Sequence, residues 1–287
     1  MQGAAATVLG GSVAAAPRSD DEAWILLSDT HIAADPELDA RGVNMAANLK
    51  RTVAQVLKVG QKPYGVMING DCAYLDGQMD DYATLLRLIQ PLRDHSVQVH
   101  MTLGNHDDRK AFRGAVAGAG DEPPMKEKHV AVISSARMNW VLLDSLDKVN
   151  QVSGLLGEEQ LGWLDRALRM APDKPTAVMV HHNPAPFQIE GNKVSGLADS
   201  GALFEVLAKH RKKVFAHFYG HTHNWSVERD EKTGIHLVNL PPVAYTFNKD
   251  RPNGWVAARM SEKGLELELR CLNPNHPEHR QKVLLEV

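Results

Sequence analysis

Residues 23–31 read Ala23-Trp24-Ile25-Leu26-Leu27-Ser28-Asp29-Thr30-His31. Five apolar residues run without a break into a polar Asp-x-His tip, the pattern of a buried strand whose C-terminal end leaves the core. The same pattern returns along the chain. Tyr64 to Ile68 stops at Asn69-Gly70-Asp71, and Val97 to Leu103 stops at Gly104-Asn105-His106-Asp107. Thr176 to Val180 ends at His181-His182-Asn183-Pro184, and Val214 to Tyr219 ends at Gly220-His221-Thr222-His223.

Helical periodicity fills the intervals. Residues 44 to 59 carry Met45, Leu49, Val53, Val56 and Leu57 at helical spacing, with Asn44 as N-cap, and further helices are expected near 80–94, 158–170 and 199–210. Strands alternating with helices specify an α/β fold. In such sheets ligands bind outside the carboxyl ends of the strands, so the five tips are expected to be neighbours in space. Segments 129–133 and 139–143 read as a hairpin, and segments 235–240, 254–260 and 264–270 suggest a second, largely antiparallel sheet. The C-terminal stretch from 271 reads as a surface loop and tail, with His276 and His279 solvated.

Each tip alone is weak, since Asp-x-His is often a turn and a lone histidine a core residue. Five coincidences of hard-oxygen or imidazole donors at strand ends are another matter. The candidate ligands are Asp29, His31, Asp71, Asn105, His182, His221 and His223. His181 and His182 point to opposite faces of a strand, and His182 is preferred because it lies nearer the strand end. Seven donors are too many for one tetrahedral zinc but suit two ions sharing a carboxylate, with Asp71 as the bridge. An imidazole-rich set points to transition metals, two divalent or mixed-valence ions of Fe, Mn or Zn, where Ca or Mg would take oxygen shells. Two ions ~3.5–4 Å apart lower the pKa of a water held between them to give hydroxide, and stabilise both oxygens of an in-line displacement at phosphorus. With only two carboxylates against two divalent ions, the cluster keeps positive charge and attracts phosphate esters.

The order Asp29-x-His31, Gly70-Asp71, Gly104-Asn105-His106-Asp107, His181-His182, Gly220-His221-x-His223 resembles the calcineurin-like metallophosphoesterase superfamily. The resemblance spans about residues 23 to 240 and implies a four-layer α/β/β/α sandwich of two mixed sheets, with the metal site at the C-terminal ends of the strands. It implies that Asp29, His31, Asp71 and His223 hold one metal and that Asp71, Asn105, His182 and His221 hold the other. It also makes His106 the residue that steadies the phosphoryl oxygens or protonates the leaving alkoxide. Asp107 either orients His106 or caps the next helix. Gly42-Val43-Asn44 opening a helix, together with Asn105-His106-Asp107, is most similar to the bacterial class III cyclic-nucleotide and glycerophosphodiester phosphodiesterase branch.

Two features depart from the expected pattern. Asn183 stands where His-His-Pro-Pro is common, and Gly70-Asp71-Cys72-Ala73-Tyr74 resembles a purple-acid-phosphatase block whose Tyr binds iron. Those enzymes carry Gly where this chain has His31, so Tyr74 is expected to pack beside the site and Cys72 to fill space. The reading is a phosphodiesterase. A purple-acid-phosphatase-like monoesterase is the alternative, and a noncatalytic metal-binding scaffold is the reading from outside the enzyme class.

Bulk properties set the frame. The 287 residues hold 32 basic and 35 acidic side chains, a formal net charge of -3, so no electrostatic footprint for a nucleic-acid polymer is present and a small-molecule phosphate ester is the expected partner. Two cysteines, Cys72 and Cys271, indicate neither a disulfide framework nor a zinc finger. Residues 1–20, small and apolar as far as Pro17, read as an export segment, placing the protein in the periplasm or outside the cell; a tail on a cytoplasmic protein is the alternative. No stretch is long and apolar enough to form a membrane span. Residues 21–287 read as one catalytic domain. Oligomeric state is not legible.

Overall fold

The computed structural model describes residues 22–116, 124–188 and 194–287. The expected export segment lies outside them. In chain order, β1 (Glu22–Ser28) is followed by a small hairpin, β2 (Asp39–Ala40) and β3 (Val43–Asn44), then α1 (Met45–Val56), β4 (Gly65–Asn69), α2 (Met79–Asp94), β5 (Gln98–Thr102) and α3 (Arg109–Val116). The second half runs β6 (Ala131–Ser134), β7 (Asn139–Leu142), β8 (Ser153–Gly154), α4 (Glu158–Met170), β9 (Thr176–Met179), β10 (Phe187–Gln188), β11 (Val194–Leu197), α5 (Ser200–Lys209), β12 (Val214–Tyr219), β13 (Ser226–Arg229) and β14 (His236–Asn239). The chain closes with β15 (Gly254–Ser261), β16 (Gly264–Cys271) and β17 (Lys282–Leu285).

Two six-stranded mixed sheets result, ordered β17-β16-β15-β1-β4-β5 and β13-β14-β12-β9-β7-β6. Within them β1, β4 and β5 are parallel, as are β7, β9, β12 and β14, so their carboxyl ends gather at common edges. Alternation along each strand builds the layers. In β1, Trp24 and Leu26 face the other sheet, where they meet Trp140, Met179 and Phe218. Ile25 and Leu27 face outward onto Leu49 and Val53 of α1 and Leu85 and Ile89 of α2. The second sheet repeats the device, with Val141, Val178 and Val180 packed on Leu161 and Leu164 of α4 and Leu203 and Leu207 of α5. The expected α/β/β/α sandwich is the observed one. Its central seam is aromatic, the Trp24 and Trp140 rings meeting edge to face at 5.8 Å, and the Trp24 Nε1–H donates to Glu22 at 2.7 Å. Each such side chain contributes ~1.5–3 kcal/mol by burial, so the seam anchors the two sheets to each other.

Local signals account for the boundaries. Asn44 Oδ1 accepts from the Ala47 N–H at 2.7 Å, the N-cap expected for α1. Two expectations are corrected. Segments 254–260 and 264–270 do not form a sheet of their own with 235–240: β15 pairs antiparallel with β1 and extends the first sheet, whereas β14 lies parallel to β12 in the second. The stretch from 271 is not merely a tail, because β17 pairs with β16 and Leu285 is fully buried. No described helix is long and apolar enough to cross a membrane.

Candidate metal centre

The five strand tips converge, and sharp backbone turns bring them together. Asp29, His31, Asp71, His221 and His223 all have positive φ, between 43° and 68°. This left-handed region is uncommon for residues other than glycine, and it clusters where function demands a particular side-chain aim. Neighbouring glycines make room. A Cβ on Gly104 would overlap Asp71 and the His181 ring, and one on Gly220 would overlap Ser28 and Asp29.

Hydrogen bonds tie the two sheets across the site. The His221 N–H donates to the Asp29 carboxylate at 3.2 Å and the Asn69 amide donates to the Val180 carbonyl at 3.3 Å, while within the first sheet the His106 N–H donates to Asp71 Oδ1 at 2.9 Å. Ser28 and Asp29 are also hydrogen-bonded side chain to side chain.

The donor atoms form three overlapping groups, each with one ligand atom per residue within 4.8 Å of the others: Asp29, His31 and His223; His31, Asp71 and His106; and Asp71, His181 and His221. His31 Nε2 lies 3.0 Å from His223 Nε2 and 3.7 Å from Asp71 Oδ2, and His223 Nε2 lies 3.4 Å from Asp29 Oδ1. The opposite ring nitrogens are committed to backbone. His223 Nδ1 sits 2.5 Å from the Tyr245 carbonyl and His181 Nδ1 2.9 Å from the Asn69 carbonyl, so each ring donates there and turns Nε2 inward. That is the outer-shell arrangement that orients metal-ligating histidines. His221 is braced through the other nitrogen, its Nε2 lying 2.8 Å from Ser195 Oγ, which leaves Nδ1 for the cluster.

The Asn105 amide is the strongest sign that an ion belongs here. Both its Oδ1 and Nδ2 are buried with no hydrogen-bond partner. Such orphaned groups are rare in folded proteins and costly, unless something else satisfies them. The electrostatics agree. Burial pushes the carboxyls of Asp29 and Asp71 up, yet His223 and His181 beside the first, and His181 beside the second, hold both below the usual carboxylate range. Burial pushes His181 down, but the two carboxylates outweigh it and hold the ring charged. His31, where burial prevails, is pushed down to about 3. Two buried carboxylates thus draw positive charge into the cluster, and the donor set suits transition-metal cations.

Of the two adjacent histidines, His181 faces the carboxylates, its Nε2 lying 3.3 Å from Asp71 Oδ2. His182, the expected ligand, has Nδ1 2.7 Å from Ser145 Oγ, its ring centroid 4.6 Å from that of His221, and a buried Nε2 with no hydrogen-bond partner. The strand itself explains this. Ala177 and Met179 face the opposite sheet and Val178 and Val180 face the helices, so position 181 continues toward the seam and 182 toward the helical side.

Asp107 also takes neither expected part. Fully buried, it accepts from the N–H groups of Cys72, Ala73 and Gly104 and from the Tyr82 hydroxyl, at 2.9 to 3.2 Å, and locks two strand tips together. The cap of α3 is Asp108, which accepts from the Ala111 N–H at 2.7 Å. Burial and Asp71 push the Asp107 carboxyl up to about 6. His106 is half-buried, and its Nδ1 lies 2.6 Å from the Leu75 carbonyl, leaving Nε2 for chemistry. Cys72 is a buried filler, and Tyr74 is partly buried, packed against the core beside the site.

A cavity of about 770 Å³ opens over the cluster, lined by His31, Asp71, Asn105, His106, His221 and His223. Its outer wall, with Arg41, Phe187, Tyr245 and Phe247, was not legible from sequence. These residues lie outside every motif and are brought in only by loops.

Comparisons with known proteins agree with the geometry. The chain is 30% identical over 226 residues to the 3',5'-cyclic adenosine monophosphate phosphodiesterase CpdA of Pseudomonas aeruginosa, covering 78% of this chain and 76% of that one. It is 28% identical over 251 residues to the enzyme of the same name from Escherichia coli K12, covering 83% and 85%. Among solved structures, a dimetal phosphatase from Danio rerio superposes with a TM-score of 0.68 at 16% identity, over 92% of this chain and 98% of that one, a likeness of fold. The model of the calcineurin-like phosphoesterase family matches residues 25–225, and this chain belongs to that family.

Proposed function

We propose that this phosphoesterase is a dimetal phosphodiesterase acting on small phosphodiesters, with 3',5'-cyclic nucleotides the first substrates to test. The observation that carries the reading is the orphaned Asn105 amide set among Asp29, Asp71, His31, His181, His221 and His223 at the floor of one cavity. Asp29, His31, Asp71 and His223 would hold one cation, and Asp71, Asn105, His181 and His221 the other. Two transition-metal cations bound there supply Lewis-acid activation of water and phosphoryl oxygen. Iron, manganese and zinc all suit such a donor set.

The protein's own groups do the rest. His106 Nδ1–H donates to the Leu75 carbonyl, which aims Nε2 at the cavity, and in its doubly protonated form the ring would deliver the Nε2 proton to the departing alkoxide oxygen. Its backbone N–H fixes the orientation of Asp71. Asp107 keeps the tips of β4 and β5 at a constant separation by accepting from both. The relatives' names favour diesters. His31 stands in the cluster at the position where the purple-acid block carries Gly, which argues against a monoesterase of that type.

The test is hydrolysis of cyclic AMP, an aryl phosphodiester and the matching monoester by metal-stripped protein reloaded with Mn, Fe or Zn, with metal content measured in parallel. Faster metal-dependent turnover of the diesters is expected. Preference for the monoester would transfer the protein to the alternative, and absence of stoichiometric two-metal binding would sink the enzyme reading.

A further inference from the structure

The cavity over the cluster is asymmetric, and its asymmetry is aromatic. Tyr245 lies stacked on the His31 ring, centroids 5.2 Å apart and planes within 19°, and Phe247 lies on the His223 ring at 4.3 Å and 18°. The Arg41 guanidinium carbon stands 5.3 Å from the Tyr245 centroid and 5.0 Å from that of Phe247. These three side chains make a continuous wall that starts one ring away from the site histidines and runs to the cavity mouth.

The wall is built to hold its position. The Val243 and Ala244 N–H groups donate to the carbonyls of Ser28 and Asp29 at 2.9 and 3.1 Å, and Asn48 donates to the Ala244 carbonyl at 2.6 Å. The Tyr245 carbonyl receives His223 Nδ1, as described above. Yet Phe247 is 58% exposed, and Phe187, another residue lining the same cavity, is 47% exposed. A backbone pinned as far as Tyr245, with large aromatic rings held in water beside a reactive centre, is a surface awaiting a partner. Rings and a guanidinium together select flat, polarisable groups, because base–aromatic and base–guanidinium stacking both favour them over alkyl chains.

We propose that the Arg41–Tyr245–Phe247 wall is a specificity-determining subsite that takes the planar heteroaromatic base of a nucleotide, while the phosphate lies over the cluster. The proposal rests on the phosphodiesterase reading for its choice of ligand, and it assigns the part of the substrate that the reacting centre does not touch. The guanidinium supplies N–H donors to base acceptors, and the aromatic faces supply stacking.

Binding separates this proposal from the catalytic one. Adenosine 5'-monophosphate and ribose 5-phosphate share the phosphate and the sugar and differ in the base. Their dissociation constants for the manganese-loaded full-length protein are measured by calorimetry, for the wild type and for Phe247→Ala and Phe247→Trp. The wild type is expected to bind the nucleotide about tenfold more tightly, a ratio that stacking of one base supplies. Phe247→Ala should bring that ratio close to one, and Phe247→Trp should keep it. Phe247 is exposed, so unchanged melting temperatures are expected and distinguish loss of the subsite from loss of the fold. Equal affinities for the two probes in the wild type, or a ratio that Phe247→Ala leaves intact, would overturn the proposal. Absence of hydrolysis together with a base-dependent ratio would instead fault the catalytic reading alone.

Discussion

His181 and His182 are adjacent in the chain and serve opposite layers of the molecule. His181 Nε2 belongs with Asp71, whereas His182 is fixed by Ser145 on the helical side. His181→Ala is therefore expected to lose one of two bound metals and at least ~100-fold in turnover. His182→Ala should keep both, and metal content by elemental analysis decides between them; the reverse result would return the ligand role to His182. His106→Ala carries a different signature. Its ring is outside the proposed ligand set, so metal content should hold while kcat falls by ~10²–10⁴, the usual worth of a general acid. Which residue types belong in the site was readable, because Asp, Asn and His ending apolar strands have few other reasons to recur. Which of two neighbouring histidines points inward was not, since nearness to the strand end says nothing about face. The faces of Ala177 and Met179 put position 181 on the seam side, and those faces are known only once the second sheet is in place.

Among the elements, strand tips and helix starts behave differently. Asn44→Ala removes the acceptor for the Ala47 N–H and a donor to the Pro36 carbonyl, and should cost about 1 kcal/mol in chemical denaturation with little change in activity. Asp107→Ala should cost more, about 3 kcal/mol, because three buried N–H groups and the Tyr82 hydroxyl lose their shared acceptor. Metal affinity should weaken with it, since the tips bearing Asp71 and Asn105 are no longer locked; a stable, fully loaded Asp107→Ala protein would contradict this account. Long periodic elements such as α1 and α2 were legible because their apolar stripes repeat over several turns. The extent of α3 was not, for its eight residues bury only Phe112 and offer little stripe to see. The pairing of β15 with β1 was equally hidden: alternation marks a strand and says nothing about its neighbour.

At the scale of the whole molecule, burial sets the acid limit of stability. His217 is completely buried on β12 against Phe204, and burial pushes it down to about 4; His100 on β5 is lowered to about 4 for the same reason. Both rings are neutral in the folded chain and become charged in the unfolded one below about 6.5. Their contribution is present in full above that pH and is lost as pH falls from about 6.5 through about 4, because the unfolded state then binds more protons. Melting temperature should decline across that window, and His217→Leu should flatten the decline; an unchanged slope would show that other groups govern it. The chain by itself determined the α/β alternation, the buried strands and the donor types at their ends, because hydrophobic period and strand-end chemistry are local properties. Only the tertiary structure decided which face His181 takes, that Asp107 is a lock between two strand tips, and that Arg41, Tyr245 and Phe247 wall one cavity. Those facts depend on which segments meet in space, and nothing in a run of neighbouring residues records the residues they will meet from the other sheet.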